Sequence, residues 1–582
     1  MHLTIASARD ITLEGQLDRR LRHAVARLAD DDVFDETFVL QDVARIPDYH
    51  RQFEEFAGDL SGRYIGVLAA CAAYTGDLYP RLHRVAQAIP GFQRPTGLVG
   101  SDQPLNAVDF PVIWGQGRLL AGLIDYHAVF PSDEVLACAR NLGDYYARIA
   151  AFWSRPEMCA HQDFSYYTQA IGGLVGLHRA TGQESQLATA HAIGMLWLEQ
   201  SADRQVANHH SHGFLLTLLG LLDLYETTGQ DVFLWTVQEV SAEIATKLIF
   251  VDGAPPEFFP WSERTEACSI ADWLHINLRL AHLTHQADYF EMAERIWRNA
   301  LYGNQAANGG FCHRHFRADR LGYTGEGCEA WWCCSFHGPL GYTRLLRYLY
   351  TSTEDEVWVN FIEPSTVDLQ VSRGAVRIAQ HTTYPSQGEF VLQVIEAPAD
   401  GIRLRVRCPP WAAVERVLLN NAPTSHVVDD AYLRLMDAVR TGDSVSVSLR
   451  IGLRLESGDG LLGSLWWGPL LMTCESPGGP PHAVAVPPAD VAGLLHLRPL
   501  DAPDHPYAIK GTHFAVIGTG NPVSQPIESL NLNQPQFGRL RPFADQTGFS
   551  APPPAILRLP VIEAGRPSMA RELSRLLGDG RP

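Results

Sequence analysis

A helix that ends in a short polar turn recurs six times between about residues 17 and 353. The turns read ACAAYTGD, DYHAVFPSD, LHRATGQ, LYETTGQ, LTHQAD and YLYTSTED, and they stand about fifty residues apart. This period is too long for one helix and its loop, but it fits a helical hairpin in which a glycine just after the helix adopts the left-handed conformation. Six hairpins are the number that closes a ring, so the repeat predicts an (α/α)6 barrel. An open helical solenoid is the alternative.

Beyond Ser352 the spacing of apolar residues changes from helical to alternating. Segments such as VDLQVSRGAVRIAQHT, FVLQVIEA and SVSVSLRIGLRLE combine this alternation with β-branched residues, which is typical of strands in an antiparallel sandwich. A Pro/Gly-rich break, SPGGPP at 476–481, precedes a second β-rich stretch and a short terminal helix around 569–577. We therefore expect a barrel domain at 1–353, a β-sandwich domain at 354–475 and a second β-rich domain at 476–582.

The charge balance argues against several classes of partner. The chain has 46 Lys and Arg residues against 65 Asp and Glu residues, a formal net charge of −19. Because phosphate recognition draws mainly on Lys and Arg, we expect no nucleic-acid partner and favour a small neutral ligand. The start, MHLTIASARDITLEG, has no basic segment followed by an apolar stretch, and no run approaches the roughly 20 apolar residues of a membrane span. We expect a cytoplasmic protein without a membrane partner.

Cysteines are the most informative polar residues. Ten of them in 582 residues are too few for a disulfide framework, which favours reduced thiols or metal ligands. Three thiols and one carboxylate fall in two short motifs, TEAC at 265–268 and WCCS at 332–335. Zinc takes Cys sulfur and carboxylate oxygen in tetrahedral geometry. One zinc site could therefore be completed by Glu266, Cys268, Cys333 and Cys334.

Spacing alone leaves other interpretations of these thiols open. A different zinc set could be drawn from Cys312, His313, His315, Glu326 and Cys328, which lie near the second motif. Ordinary buried thiols would need no metal at all, and redox-active thiols are a third interpretation. A further observation is needed to choose among them.

The two motifs and the segments after them resemble glycoside hydrolase family 127. Glu266-Ala267-Cys268 is followed 65 residues later by Cys333-Cys334, and then by LGYTRLLRYLYTSTEDEVWVNFIEPSTV, TTYPSQGEFVLQV, LRVRCPPWA and GPLLMTCESP. The similarity runs from the helical region into both β regions. It implies a retaining, β-L-arabinofuranosidase-like glycoside hydrolase, in which a Glu-x-Cys element and a Cys-Cys pair bind zinc. Carried over, the zinc ligands are Glu266, Cys268, Cys333 and Cys334, and Cys333 attacks the anomeric carbon.

The general acid cannot be carried over by spacing. Most retaining glycosidases use two carboxyl groups about 5 to 5.5 Å apart, so a thiolate nucleophile still needs a carboxylic acid to protonate the leaving oxygen. The family has a Gly-Glu pair sixteen residues before its Glu-x-Cys element, whereas this chain has Phe250 at that distance. Glu257, on the loop between barrel helices, is the predicted acid, and Glu263 competes with it. Either could be a solvated loop charge.

Several residues are candidates for binding the sugar. His212, at the end of the sequence NHHSH, matches the substrate histidine of the family best, although a histidine at a helix start is more often a capping or packing residue. Trp114, His161, Asp163 and Trp261 are further candidates, because apolar sugar faces stack on indole rings while hydroxyl groups need polar partners. Trp331 and Trp332 flank the cysteine pair and could form a pocket wall or belong to the core.

Two other functions stay open at this point. An (α/α)6 barrel also hosts epimerases and lyases, and a fold does not dictate a reaction. A sugar-binding protein that zinc stabilises, without turnover, is the second alternative. The partner predicted in each case is a small carbohydrate or glycoside, and the oligomeric expectation is a homodimer.

Overall fold

The computed structural model describes residues 3–29, 32–46, 53–106, 109–200, 209–315, 322–323, 328–457, 462–475, 484–485, 495–502, 507–519, 539–545, 555–556 and 559–562. The terminal helix predicted at 569–577 lies outside these residues, as does Glu326 of the alternative zinc set. Within the described residues, no helix combines the length and the apolar character that crossing a membrane requires.

Two concentric sets of helices make up the described part of residues 15–346. The inner helices are buried over most of their length and comprise Asp59–Thr75, Phe110–Val129, Ile171–Thr181, Ser211–Thr228, Ala267–Thr284 and Gly338–Leu346. The outer helices are Gly15–Ala29, Pro80–Ala88, Asp133–Trp153, Glu184–Gln200, Asp231–Glu243 and Ala287–Arg295. Shorter helical segments are Ala8–Asp10, Asp32–Phe34, Glu36–Ala44, Ile89–Phe92, Pro156–Cys159, Ser165–Thr168, Ile244–Leu248, Ile296–Leu301, Tyr302–Asn304, Cys334–Phe336 and Phe543–Asp545.

The inner helices form a closed ring. Each packs against the next along the chain, and the last, Gly338–Leu346, packs against the first, Asp59–Thr75. This closure confirms the (α/α)6 barrel and excludes the open solenoid. Gly76, Gly182 and Gly229 end their helices with φ angles of 73°, 69° and 69°, as the turn pattern predicts.

The sixth helix pair differs from the predicted hairpin. Helix Gly338–Leu346 is followed by the strand Tyr350–Ser352 and not by an outer helix. Its outer neighbour is Gly15–Ala29, from the start of the chain. The polar turn near residue 352 therefore lies between two strands. The outer helix expected there is supplied by Gly15–Ala29, which precedes the first inner helix, Asp59–Thr75, in the chain.

Two β-sheets follow the barrel and share its hydrophobic core. The first has the strand order Thr4–Ile5, Tyr350–Ser352, Glu356–Val359, Arg403–Arg407, Tyr432–Leu435 and His426–Asp429. The second has the order Ala422–Pro423, Ala413–Leu419, Ser444–Arg450, Glu389–Glu396, Gly374–Thr382, Ser365–Val371 and Ile11–Leu13. Neighbouring strands are antiparallel, except that Arg403–Arg407 runs parallel to Glu356–Val359. Alternating burial along Ser365–Val371 matches the predicted sandwich pattern.

A third sheet gathers strands from the C-terminal part of the chain. Its main path is Val484–Ala485, Leu559–Ile562, Leu462–Trp467, Leu470–Glu475, Arg539–Pro542, His513–Thr519 and Leu495–Leu500. Leu453–Ser457, Ala555–Ile556 and Gly322–Tyr323 attach beside this path. Apart from Gly322–Tyr323, the sheet begins at Leu453, ahead of the predicted boundary at 476. The division of the chain at residues 353 and 475 therefore stays a proposal.

Candidate active site

Two chain segments bring three thiols and a carboxylate together at one end of the barrel. Glu266 ends the strand Arg264–Glu266 and caps the start of the inner helix Ala267–Thr284, so Cys268 lies in the first turn of that helix. The Cys333-Cys334 pair lies in the turn that leads to the inner helix Gly338–Leu346. The thiol cluster formed in this way consists of Glu266, Cys268, Cys333 and Cys334.

The thiol cluster has the dimensions of a tetrahedral zinc site. One ligand atom from each of its four residues lies within 4.8 Å of the others. The Sγ atoms of Cys268 and Cys334 are 3.7 Å apart, and those of Cys333 and Cys334 are 3.5 Å apart. Two sulfurs bound to zinc at about 2.3 Å in a tetrahedron stand about 3.8 Å apart. The cluster therefore fits a zinc ion in both donor type and spacing.

The three sulfurs differ in their surroundings. Cys268 and Cys334 are fully buried, whereas Cys333 is partly exposed. Burial alone would raise the pKa of Cys268, but thiol hydrogen bonds from Cys333 and Cys334 hold this pKa well below its ordinary value. The Arg63 guanidinium acts in the same direction, with Nη1 donating to the Cys268 sulfur at 3.4 Å. Arg63 is held in turn by Asp59, at 2.7 Å.

Two histidines flank the Glu266 carboxylate. Nε2 of His210 lies 3.1 Å from Oε1 of Glu266, and Nε2 of His313 lies 3.6 Å from Oε2. His313 reaches this position because its strand, Cys312–His315, pairs with Arg264–Glu266 and sets His313 opposite Glu266. The same His313 nitrogen lies 3.6 Å from the Cys333 sulfur. The Nδ1 atoms of both histidines are buried without a hydrogen-bond partner.

Glu257 lies beside this group, and Glu263 does not. The side-chain ligand atoms of Glu257, His210 and Glu266 fall within 4.8 Å of one another. Arg264 binds the Glu257 carboxylate through two nitrogens, with Nη2 at 2.5 Å from Oε1. The Glu257 backbone carbonyl accepts hydrogen bonds from the amide and hydroxyl of Ser211, which fixes the loop against the start of the inner helix Ser211–Thr228. Glu263 is exposed to solvent.

A second set of polar residues, the lower layer, lies one helical turn deeper and consists of His212, Asp272 and His337. Asp272 follows Cys268 by four residues on the same helix, so the two share a face. The Asp272 carboxylate accepts hydrogen bonds from His212 Nδ1 at 2.6 Å and His337 Nε2 at 2.8 Å. Burial lowers the pKa of His212 to about 3, so its ring is neutral. Nε2 of His212 is then a buried acceptor without a partner.

The aromatic candidates fall into two groups. Trp114 is buried, donates from Nε1 to Asp59 at 3.1 Å, and packs edge-on against His212 with ring centroids 5.2 Å apart. His161 lies farther out, where it stacks on Phe110 and its Nδ1 is 3.8 Å from the Asp163 carboxylate. Trp261, partly exposed, packs on Phe250. Trp331 and Trp332 are both partly exposed; the Trp332 ring lies 5.6 Å from His313, and Trp331 packs on Trp332.

Sequence reasoning missed several residues that touch the cluster. His313 was placed in a competing zinc set, and the structure brings it against Glu266 and Cys333. The sequence motifs do not include Arg63 or Asp272. Each lies four residues from another site residue on an inner helix, Asp59 and Cys268 respectively, and this helical spacing is the signal that could have identified them.

The comparisons with known proteins give the class and then the family. Residues 9–338 match the profile of the "Beta-L-arabinofuranosidase, GH127 catalytic domain", and residues 356–451 match that of the "Beta-L-arabinofuranosidase, GH127 middle domain". The chain is thus a glycoside hydrolase, an enzyme that acts on carbohydrate. Because the catalytic-domain match spans more than half of the 582 residues, the chain belongs to glycoside hydrolase family 127. The search among curated proteins found no match.

Solved structures of this family share the fold over nearly their whole length. A GH127 β-arabinofuranosidase, BT3674, is 16% identical with a TM-score of 0.75, and the alignment covers 96% of this chain and 98% of that one. Ara127N-Se, a GH127 β-L-arabinofuranosidase from Geobacillus stearothermophilus T6, is 14% identical with a TM-score of 0.72, covering 95% and 100%. At this identity the likeness shows a common fold.

Proposed function

We propose that this enzyme is a retaining hydrolase of β-L-arabinofuranosides or closely similar furanosides, with the Cys333 thiolate as its nucleophile. The observation that carries the proposal is the difference in exposure within the thiol cluster. Cys333 is partly exposed, whereas Cys268 and Cys334 are fully buried and could not reach a sugar without rearrangement. The family membership supports the reaction class, and the β-arabinofuranosidases that share its fold support the sugar.

Zinc is the proposed metal, held by Glu266, Cys268, Cys333 and Cys334. The donor set supports this, since three sulfurs and one carboxylate oxygen suit zinc better than calcium or magnesium, which prefer oxygen ligands. When bound, the ion would keep all three thiols ionised at neutral pH. His210 and His313 would then position Glu266 from both sides, as the residues around a metal ligand commonly do.

The proposed reaction has two displacements at the anomeric carbon. In the first, the Cys333 sulfur forms a bond to this carbon while the bond to the leaving oxygen breaks, and a carboxylic acid transfers its proton to that oxygen. In the second, the resulting carboxylate takes a proton from water, the water oxygen bonds to the carbon, and the sulfur leaves. Two inversions give net retention of configuration.

Glu257 is the proposed acid and base. It is 5% exposed and lies close to His210 and Glu266, on the same side of the barrel as the thiols. Nδ1 of His313 lies 3.9 Å from its carboxylate, so one imidazole stands between Glu257 and the Cys333 sulfur. Arg264, whose side chain is 40% exposed, binds the Glu257 carboxylate. The leaving oxygen must therefore compete with Arg264 for contact with Glu257.

The neutral acceptor of the lower layer supports a role for His212 in binding sugar hydroxyls. Its Nε2 is buried without a partner, and Asp272 fixes the tautomer by accepting from Nδ1. Trp114, on the inner helix Phe110–Val129, packs edge-on against the imidazole. His161 lies at the outer rim of this aromatic group, where we propose a contact with the leaving part of the substrate.

The deciding experiment combines turnover with covalent labelling. We expect zinc-loaded enzyme to hydrolyse an aryl β-L-arabinofuranoside with retention, and Cys333→Ala to abolish turnover while sugar binding largely persists. A haloacetamide derivative of the sugar should label Cys333. Cys159, also partly exposed but outside the cluster, is the matched control and should stay unlabelled. A label on a carboxylate, or near-normal turnover by Cys333→Ala, would contradict the mechanism, and zinc binding without turnover on any glycoside would favour the sugar-binding alternative.

A further inference from the structure

Arg118 is a buried cation without a partner in the interior of the barrel. Its residue exposure is 6%, and it forms no hydrogen bond or ion pair with any residue that the structure describes. Its Nε is buried without a hydrogen-bond partner, whereas its two terminal nitrogens are not fully buried. Arginine is almost never buried unless it is paired, because an uncompensated charge in a protein interior costs several kcal/mol.

The two carboxylates that most strongly attract Arg118, Asp59 and Asp272, are already paired with other residues. Asp59 binds the Arg63 guanidinium at 2.7 Å and accepts from the Trp114 indole. Asp272 accepts from two histidines and binds Arg344 at 3.1 Å. Both attract Arg118 over a longer range, while the positive charges of Arg63 and Arg344 repel it. Asp125, two turns further along the same helix, also attracts Arg118 without a direct ion pair. Among the described residues, Arg63 and Arg344 each bind a carboxylate directly, and Arg118 does not.

The position of Arg118 connects it to the candidate active site. It follows Trp114 by four residues on the inner helix Phe110–Val129, so the two side chains lie on one face. Side chains on a helix lean toward its N-terminus, which brings the Arg118 head up toward Trp114 and the lower layer. Burial outweighs the nearby carboxylates and lowers the pKa of Arg118 to about 10, and the side chain still carries its charge at neutral pH.

We propose that Arg118 forms an anion-binding site in the barrel interior, near the lower layer. The ligand is a small, planar or spherical anion that can pair with a guanidinium: a carboxylate on the sugar itself, or a free inorganic ion such as chloride. The first source would make the enzyme prefer a sugar acid. The second would make a free anion a structural component of the barrel interior. The inference concerns binding and does not depend on the nucleophile proposed above.

The test uses full-length, zinc-loaded protein and three probes: chloride, D-galacturonate and D-galactose. We expect at least one of the two anions to bind and to raise the unfolding temperature of the wild type saturably, with an affinity about tenfold or more above that for Arg118→Met. Tighter binding of galacturonate than of galactose and chloride identifies the sugar carboxylate as the ligand. Equal effects of galacturonate and chloride identify a free anion.

Two variants guard against a merely structural effect. Arg118→Lys keeps the charge but loses the planar fork, so it should retain part of the anion response. Arg279, a buried barrel arginine paired with Asp223 and Glu226, is the matched control; Arg279→Met should destabilise the protein and leave the anion response unchanged. If neither anion stabilises the wild type beyond its effect on Arg118→Met and Arg118→Lys, the inference is wrong. Hydrolysis of the neutral aryl arabinofuranoside, measured separately, would still decide the proposed function.

Discussion

Two buried networks in this protein use similar residue types and differ in how completely they are paired. Around the thiol cluster, polar atoms of His210, His212 and His313 are buried without partners. At the junction of barrel and sandwich, Glu294 binds Arg298 at 3.0 Å, contacts Arg407, and accepts from the Tyr384 hydroxyl at 2.9 Å. Arg298 also binds Glu363 at 3.1 Å. We call these five residues the junction network.

No side-chain nitrogen or oxygen of the junction network is buried without a hydrogen bond. Buried polar groups are nearly always satisfied, so the unpaired atoms around the thiol cluster mark the place where the fold leaves room for a ligand. A paired network holds domains together, and an unpaired one is suited to binding. The contrast predicts that changes in the junction network alter stability. Changes around the thiol cluster should instead alter metal content or turnover.

The largest effect is expected from Cys334→Ser. This change removes a buried sulfur that lies within 3.7 Å of both other sulfurs, and a hydroxyl is a poor zinc ligand. We expect loss of bound zinc and of all activity, measured by metal analysis of fresh, reduced protein together with an aryl glycoside assay. Cys138→Ser, at a buried thiol outside the cluster, should keep its zinc. A stable Cys334→Ser protein with one zinc per chain would mean that the ligand set is wrong.

Glu294→Gln should lower the stability of the protein and leave its zinc content unchanged. It leaves Arg298 and Arg407 buried with less compensation, and breaking a buried pair in this way costs about 3 kcal/mol. We expect a lower free energy of unfolding, measured by denaturant titration, with zinc content unchanged. Glu415→Gln, which removes a surface pair with Arg450, should cost less than about 0.5 kcal/mol. A Glu294→Gln protein that loses zinc at unchanged stability would show that the junction network does not differ from the thiol cluster in its role.

Asp272→Asn tests the lower layer. An asparagine can still contact both histidines but no longer imposes the proton on Nδ1 of His212, so the sugar-facing nitrogen loses its fixed acceptor character. We expect kcat/KM to fall by about 10- to 100-fold, with zinc retained. The loss should appear on substrates that carry the hydroxyl that His212 binds and shrink on deoxy analogues. An equal loss on every substrate would indicate a general packing defect.

The smallest effect concerns pH and Glu363. Burial outweighs the attraction of Arg298 and raises the pKa of Glu363 to about 6. Because this pKa is higher folded than unfolded, the contribution of Glu363 is fully present below its unfolded pKa and is lost as the pH rises through about 6. Relative to Glu363→Gln, the wild type should lose about 1 kcal/mol of unfolding free energy between pH 4.5 and pH 6. Parallel stability curves for the two proteins would show that this group titrates normally.

The sequence predicted the barrel and the residues of the thiol cluster for different reasons. Helix length and turn glycines repeat locally, so the barrel could be read from them, and Glu266 and Cys333 came from the family motifs. His313 was harder to assign, because strand pairing with Arg264–Glu266 sets its position and pairing register is not visible in one strand. Arg63 was missed because its contact with Cys268 spans two barrel helices far apart in the chain.

The β regions show the same limit. Alternation identified the strands Ser365–Val371 and Ser444–Arg450, whose inward residues are buried. It did not assign Leu453–Ser457 to the third sheet, because alternation shows which face of a strand is buried and not which neighbour it pairs with. The change of partner sheet within one alternating stretch, SVSVSLRIGLRLE, has no local signal.

The two short strands near the start of the chain impose an order on the assembly of this protein. Thr4 pairs with Ser352 and Ile11 with Val367, so these strands, which precede the barrel in the chain, find their partners only after the whole barrel has been synthesised. The outer helix Gly15–Ala29 likewise completes the ring only when Gly338–Leu346 arrives. Closure of the barrel and formation of the sandwich are therefore late, linked events. A nascent chain that stops before residue 338 has an open ring, in which the apolar helix faces that Gly338–Leu346 covers stay exposed.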